Sequence, residues 1–356
     1  MENSRIGWVD TAKGICIIFV VMMHSTIGVQ IATGQEGWMN YVILFAWPFR
    51  MPDFFMTSGL FLGLVIDRPW LRYLDRKVIH FAYFYLLWMT IEIVLKSPGL
   101  MSENGAGAPF REFLLGFVQP YGTLWFIYML PVFFLFTRLV KGLPVWFVLG
   151  WAAILEILPV ETGSVIFDEF CQRYVFFYAG YALADRIFSI ADWMGAHRRA
   201  AVAILAAWFV AEAAIVFAPV PDALQVINLG NNGFSGMPVI SLILGGAGAL
   251  AIVTVATLLT GLPWTRWLTW LGAHSIVVYL AFFLPMTVAR VFLTKTGIIA
   301  DVGTMSVLTL AAGVTGSVML YGLVQWTGRG HFLFERPDWA YIDRPAAPKP
   351  AIQPAE

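Results

Sequence analysis

Runs of about 20 apolar residues recur along this chain of 356 residues, and each is long enough to cross a bilayer as a helix. Apolar residues make up 59% of the chain and charged residues only 12%, with a mean hydropathy of +0.75, which excludes an ordinary soluble domain. The expected fold class is therefore all-α, a polytopic membrane protein. The runs predict ten transmembrane helices, at residues 13–32, 41–65, 78–95, 123–139, 144–159, 172–185, 200–218, 239–260, 268–290 and 305–325.

Basic residues are distributed unevenly between the predicted loops. With the N-terminus inside, 16 of the 22 Lys and Arg residues fall on the cytoplasmic side, where retained loops collect them. Ten spans then place both termini in the cytoplasm. We expect a multi-pass protein of the cell inner membrane, with a single transmembrane domain over residues 1–344 and a disordered Pro/Ala-rich tail over residues 345–356. The net charge of zero does not favour nucleic acid as a partner.

Lys13 and His24 flank the apolar stretch from Ile15 to Met23. At about 1.5 Å per residue they lie roughly 16 Å apart along a helix, so a base sits deep in the membrane. A charged group at mid-membrane costs about 2.5 kcal/mol or more, and such a residue therefore points to function. The alternative for His24 is a purely structural histidine that donates to a backbone carbonyl between helices.

The second predicted span also carries charge. Arg50 and Asp53 are three residues apart, so on a helix they share a face, either as a structural ion pair or as part of a substrate site. Pro48 and Pro52 free backbone carbonyls there, which a cavity or a partner helix must satisfy. Ser58 follows one turn later, and small residues allow a helix or ligand to approach closely.

Between the second and third spans, four positive charges lie at the predicted cytoplasmic edge: Arg68, Arg72, Arg76 and Lys77. Positive-inside topology alone explains such a cluster. The functional alternative is a phosphate clamp, because Arg guanidinium groups bind phosphate oxygens bidentately. Arg72 and Arg76 are four apart and are expected to point the same way. Trp125 begins the fourth span, where an interfacial aromatic belt would lie.

Six blocks of sequence, in order across nearly the whole chain, resemble the acyltransferase-3 family of integral membrane O-acyltransferases. Within that family, the sequence resembles the branch that includes fucose O-acetylase-like proteins. The blocks are VDTAKGICIIFVVMMHS (9–25), FRMPDFFMTSGLFLG (49–63), the basic segment 68–77, TLWFIYML (123–130), RYVFFYAGYALA (173–184) and LGAHSIVVYL (271–280).

This resemblance implies transfer of an acyl group, usually acetyl, from a cytoplasmic acyl-CoA to a hydroxyl of a sugar or cell-envelope glycan. It places Lys13 and His24 at the family's paired basic-residue and histidine signature. Arg72 and Arg76 approximate the family's arginine pair, and Arg173 matches a basic residue that often opens the sixth span.

We therefore expect His24 to act as general base on the acceptor hydroxyl, while cations bind the donor's phosphates. Direct transfer and a transient acyl-histidine both fit these residues. We expect no bound cofactor and no metal, because acyl-CoA is a substrate. The expected partners are the bilayer, the donor, the glycan acceptor and, where the membrane domain does not complete the transfer, a separate acyl-accepting protein. The predicted donor-binding residues are Lys13, Arg72 and Arg76, and the predicted acceptor or supporting residues are Asp10, Arg50, Asp53, Ser58, Trp125 and Arg173.

The chain departs from the family pattern at several positions. Arg50 stands where a histidine is common, Asp53 stands where an apolar residue is usual, and Phe282 stands where many relatives have a histidine. Two alternatives stay open: a transporter or flippase for glycan precursors, and an acyltransferase fold that has lost its activity. A basic cluster paired with one deep histidine favours the enzyme, since a transporter requires neither.

Overall fold

The computed structural model describes residues 6–219 and 230–343, and these residues fold into α-helices joined by short turns. The predicted boundary at residue 344 and the predicted disordered tail lie outside the described residues. The helices are α1 (Gly7–Thr33), α2 (Met39–Ala46), α3 (Arg50–Gly59), α4 (Trp70–Leu74), α5 (His80–Asn104), α6 (Ala108–Leu115), α7 (Trp125–Val140), α8 (Val145–Ile157), α9 (Val165–Ala182), α10 (Ala184–Ala196), α11 (Arg198–Val216), α12 (Ile240–Leu259), α13 (Arg266–Ala273), α14 (Ser275–Ala281), α15 (Phe283–Thr296) and α16 (Val302–Thr327).

Several of these helices are long and apolar enough to cross a membrane, so the chain is a multi-pass membrane protein. In the described ranges there are 6 such helices, or 7 if the bent pair α14 and α15 forms one span. The ten-span count and the cytoplasmic location of both termini stay predictions. The 6 helices are Gly7–Thr33, Trp70–Asn104, Gly122–Val140, Arg198–Val216, Ile240–Leu259 and Val302–Thr327.

The other predicted spans differ from simple helices for identifiable reasons. The second is divided into α2 and α3 next to Pro48, because proline cannot continue the hydrogen bonding of a helix. The fifth corresponds to α8, which has only 13 residues. The sixth corresponds to α9, which carries charged side chains. The ninth is divided between α13, α14 and α15, and the last two are bent by 50°.

Helix α1 lies at the centre of the bundle, where it packs against α3, α12, α13 and α16. Its residues Cys16, Ile17 and Val21 are fully buried. The contact with α13 is close because glycines face each other's backbone: a methyl group on Gly272 would overlap the carbonyl oxygen of Asp10. Small residues at a helix contact permit this approach. Lys13 and His24 are therefore held by a tightly packed helix.

The segment after α16 folds back onto the start of α4 and α5. Between those two helices Asp75–Ile79 forms one π-helical turn, so the three pieces run on as one long helix. Arg336 donates to the carboxylate of Asp75 at 2.7 Å, and both side chains are buried. Trp88 donates from Nε1 to the backbone carbonyl of Leu333 at 2.9 Å. This C-terminal segment closes one end of the bundle.

Candidate active site

His24 lies in the second half of α1, and its ring stacks on Phe282 with 5.5 Å between centroids. With Arg50, Thr123 and Tyr279 it lines a cavity of about 10 Å³, close to what one water molecule needs. His24 hydrogen-bonds to no other residue of the described chain, so the structural alternative of a histidine bound to a carbonyl is not observed. Its ring nitrogens are therefore not committed to another group of the described chain.

Arg50 is the charged residue that approaches His24. Its exposed fraction is 7%, its guanidinium lies 4.7 Å from the centroid of the Trp47 ring, and it interacts electrostatically with His24. Across the described residues it makes no ion pair with Asp53, contrary to one of the two interpretations of their spacing.

Asp53 is fully buried and faces α1 instead. Its carboxylate accepts a hydrogen bond from Sγ of Cys16 at 2.7 Å. Arg50 and Asp53 therefore engage points of α1 that are eight residues, or about 12 Å, apart. Because the arginine side chain extends towards His24 and the short aspartate does not, the shared helix face fails to bring them together.

A second cavity lies nearer the start of α1 and has a volume of about 110 Å³. Lys13, Ser58, Ser275 and Tyr279 are among the residues that line it. The amino group of Lys13 also lies 5.9 Å from the centroid of the Phe61 ring. Ser58, predicted to support the acceptor site, thus shares a cavity with the predicted donor-binding lysine.

The Lys13 cavity and the His24 cavity are separated by aromatic side chains. Phe126 and Tyr279 line both cavities. Phe54 stacks on Phe126 with 4.2 Å between centroids and 4° between planes. We call Phe54, Phe126 and Tyr279 the aromatic wall. Phe126 and Tyr279 thus form part of the boundary between the space beside the lysine and the space beside the histidine.

Lys77 is the cation of the 68–77 segment that approaches Lys13. It interacts electrostatically with both Lys13 and Arg68, and its amino group lies 4.4 Å from the centroid of the Phe134 ring. We call Lys13, Arg68 and Lys77 the basic cluster. Four-residue spacing indicated Arg72 and Arg76 rather than Lys77, because that spacing assumes a regular α-helix and the π-helical turn changes the register.

Arg72 and Arg76 contact the C-terminal segment. Arg72 lies 3.8 Å from the carboxylate of Asp343, and Arg76 lies 4.9 Å from the centroid of the Tyr341 ring. They do point the same way, as four-residue spacing predicts. In the structure they contact residues 341–343.

The other predicted acceptor residues lie in different surroundings. Trp125 lines the His24 cavity, whereas the backbone carbonyl of Asp10 packs against Gly272. Arg173 on α9 pairs with Glu169 at 3.2 Å and lines a larger cavity described below. Within the described residues, no three His, Cys, Asp or Glu side chains form a cluster that could hold a metal ion.

Together these groups suit a reaction between one anionic and one neutral substrate. The basic cluster can bind phosphate oxygens, and His24 can accept a proton. The buried charge of Arg50 can stabilise a developing oxyanion near the histidine. Because Phe126 and Tyr279 line both cavities, the aromatic wall must move aside for a reacting group to pass from one cavity to the other.

The chain is similar to known proteins over most of its length. The family model described as an acyltransferase domain, that of the acyltransferase-3 family, matches residues 6–322. The inner membrane protein YcfT of Escherichia coli (strain K12) is 32% identical over 173 residues, which are 41% of this chain and 48% of YcfT. The nodulation protein NolL of Sinorhizobium fredii (strain NBRC 101917 / NGR234) is 25% identical over 213 residues, covering 59% of this chain and 56% of NolL.

These matches have limited extent. The alignments span about half the length of each curated relative. No solved structure matches the chain.

Proposed function

Because the chain belongs to the acyltransferase-3 family, we propose that it transfers an acyl group, acetyl in the simplest case, from acyl-CoA to a hydroxyl of a sugar or cell-envelope glycan. One observation carries the proposal: Lys13 and His24, on the same helix, line two cavities that share Phe126 and Tyr279 as lining residues. The enzyme would lie in the cell inner membrane with the basic cluster on the cytoplasmic side.

The basic cluster would bind the phosphates of acyl-CoA. Lys77 is repelled by both Lys13 and Arg68, and phosphate oxygens would offset that repulsion. The arm of the donor would then extend along α1 past Ser58 and Tyr279, which line the Lys13 cavity. Binding the two reactants in line along one rigid helix converts a bimolecular reaction into an effectively unimolecular one.

His24 would begin the chemical step by taking the proton of the acceptor hydroxyl. The hydroxyl oxygen then attacks the thioester carbon, the carbon–sulfur bond breaks, and the CoA thiolate leaves with the proton that His24 received. Arg50 would stabilise the negative charge on the carbonyl oxygen. In the alternative route His24 attacks the thioester and the CoA thiolate leaves, giving acyl-histidine. The acceptor hydroxyl then attacks the acyl-imidazole, the imidazole leaves, and the hydroxyl proton passes to the thiolate.

The proposal is tested by acyl transfer from radiolabelled acetyl-CoA to cell-envelope glycans. Membranes containing the wild-type protein should label the glycan, and membranes containing His24→Ala at matched expression should lose the label by at least about 100-fold, the lower range for a general base. His197→Ala is the matched control, because His197 is exposed and its Nδ1 contacts the carbonyl oxygen of Trp193.

Absence of label with acetyl-, succinyl- and longer acyl-CoAs would overturn the donor assignment and favour a transporter of glycan precursors. Label that needs a second purified protein would instead identify the separate acyl-accepting partner.

A further inference from the structure

A third cavity, of about 260 Å³, lies where α3 and α12 begin and α8 ends. Its volume is just below the roughly 300–1,000 Å³ of pockets for drug-sized ligands, so it suits a single ring rather than a chain. The residues that the inference uses are Trp47, Pro52, Glu156, Gln172, Arg173 and Ser241, all of which line the cavity.

One carboxylate in this cavity lacks part of its hydrogen bonding. Oε1 of Glu156 accepts from the hydroxyl of Ser241 at 2.7 Å, whereas its Oε2 is buried without a partner in the described structure. A buried oxygen without a hydrogen-bond donor destabilises the folded state, because it has lost its water and gained no partner. A ligand hydroxyl that donates to Oε2 would remove this cost.

The positive charge of Arg173, which lines the cavity, does not require an anionic ligand. Arg173 already pairs with Glu169 at 3.2 Å. The lining also includes the apolar surfaces of Trp47 and Pro52, the amide of Gln172 and a second carboxylate, that of Glu161. Aromatic and proline surfaces pack against the C–H face of a sugar ring, while amide and carboxylate groups bind its hydroxyls. This combination fits a neutral, hydroxyl-rich ring.

The first turn of α3 connects this cavity to His24. Pro52 lines the larger cavity, and Arg50 and Met51 line the His24 cavity. Arg50 interacts electrostatically with His24 on one side and with Arg173 on the other. A ring in the larger cavity is therefore one turn of α3 away from the proposed base.

We propose that this cavity is the subsite for one neutral sugar ring of the acyl acceptor, with Glu156 accepting a hydrogen bond from a ring hydroxyl. The link to acyl transfer rests on the proposed function, whereas the binding of a sugar ring does not. Arg50 then lies between the bound ring and His24, where it can guide the reacting hydroxyl towards the imidazole.

Saturation-transfer NMR on the full chain in nanodiscs tests the subsite, with methyl α-glycosides of glucose, galactose, mannose and fucose as probes. At least one glycoside should receive saturation from the wild-type protein. Glu156→Gln should weaken that binding about tenfold, which corresponds to one hydrogen bond. The matched control is Glu112→Gln, since Glu112 pairs with Arg111 on α6 and does not line the cavity.

Gln172→Ala is a second variant and should also weaken binding. The subsite is overturned if no glycoside binds the wild type, or if both Glu156→Gln and Gln172→Ala bind as the wild type does. Glycoside binding without acyl transfer would instead refute the proposed function and leave the subsite standing. Acyl transfer to glycan without glycoside binding would refute the subsite and leave the proposed function standing.

Discussion

Arg76 and Lys77 are adjacent in sequence but contact different parts of the molecule. Arg76 lies 3.7 Å from the carboxylate of Asp75 and against the ring of Tyr341. Lys77 lies against Phe134 and interacts electrostatically with Lys13. The charge of Arg76 is therefore partly neutralised by its surroundings, while that of Lys77 adds to the basic cluster. At the scale of single residues, the two should differ in what they contribute to donor binding.

We expect Lys77→Gln to raise the KM for acyl-CoA about tenfold, because one charge-assisted hydrogen bond to phosphate would be lost. Arg76→Gln is the matched comparison and should change this KM by less than about threefold. Steady-state acyl transfer at saturating acceptor measures both. Equal effects of the two substitutions on this KM would contradict the assignment of Lys77, rather than Arg76, to donor binding.

Spacing on an ideal helix predicts that Lys13 and His24 lie on one helix, but it does not predict which side chains of other helices lie beside them. The Arg50–Asp53 spacing is compatible with an ion pair. Instead, the thiol of Cys16 donates a hydrogen bond to Asp53, because α1 packs against that part of α3. No sequence pattern indicates the contact with Cys16, since it joins residues 37 apart. Charged and polar groups could be identified from sequence, whereas their pairing depends on how the helices pack.

Among the helices, α1 and α13 pack closely enough for backbone atoms to touch. The contact is possible because Gly14 and Gly272 have no side chains: a methyl group on either would overlap a backbone carbonyl of the other helix. This contact positions the first half of α1, and with it Lys13. Apolar runs predict α1 as a helix but not this packing, because they do not identify which glycine meets which neighbour.

Gly272→Ala should therefore destabilise the protein by about 1–3 kcal/mol or more, the range for an overpacked core. Gly246→Ala is the matched control, since no atom lies within 4 Å of the position its methyl group would occupy on α12. It should be neutral or stabilising by up to about 1 kcal/mol. The midpoint of thermal unfolding in detergent measures both changes. A Gly272→Ala protein as stable as the wild type would contradict this packing.

Helix α16 begins with a cap that responds to pH. Asp301 accepts hydrogen bonds from the backbone N–H of Thr304 at 2.6 Å and from Nε1 of Trp38 at 3.2 Å. The hydrogen bonds with Thr304 are the main reason that the pKa of this carboxyl lies below its usual value. Hydrogen bonds to an ionised carboxylate favour that form.

Because the folded-state pKa is lowered, the stabilisation by Asp301 is present above the unfolded-state pKa of about 3.9 and is lost as pH falls through the folded-state value. We expect Asp301→Asn to lower the unfolding midpoint at pH 7. The difference from the wild type should shrink as the pH falls below about 4. A difference that is constant from pH 7 to pH 3 would show that ionisation of Asp301 plays no part.

The divided spans show which elements composition can predict. The apolar run predicts the second span as one helix, whereas the structure divides it into α2 and α3 next to Pro48, the residue that could have indicated the break. The division of the ninth predicted span has a weaker signal, because His274 and Phe282 lie between its pieces and neither is a strong helix breaker. Helix type and approximate position follow from apolar runs, but bends follow from contacts with neighbouring helices.

Across the whole molecule, the C-terminal segment ties the end of the chain to the long helix Trp70–Asn104. Arg336 and Asp75 form a buried ion pair, and Oδ1 of Asp75 also accepts from the backbone N–H of Ile342 at 2.8 Å. The guanidinium of Arg336 lies 3.8 Å from the centroid of the Tyr341 ring. The sequence indicated no such role for Arg336, since its partner is 261 residues away.

Arg336→Met should cost about 3–5 kcal/mol, because it leaves the charge of Asp75 buried without its partner. Arg72→Met is the matched control, since the pair of Arg72 with Asp343 is largely exposed and should contribute no more than about 1 kcal/mol. Chemical denaturation followed by tryptophan fluorescence compares them. Equal losses of stability would show that the buried pair does not hold the C-terminal segment in place.

The aromatic wall has a consequence for the cell as well as for catalysis. Under the proposed function the enzyme receives one substrate from each side of the membrane and needs two water-accessible recesses. Joining those recesses would let protons leak down the membrane potential. The rings of Phe54 and Phe126 carry no group that can pass on a proton, and the hydroxyl of Tyr279 already donates to the backbone carbonyl of Thr123. The same rings that a reacting group must displace would thus limit proton flow between the recesses. Replacing Phe126 with a small residue would let protons cross and lower the membrane potential of the host cell.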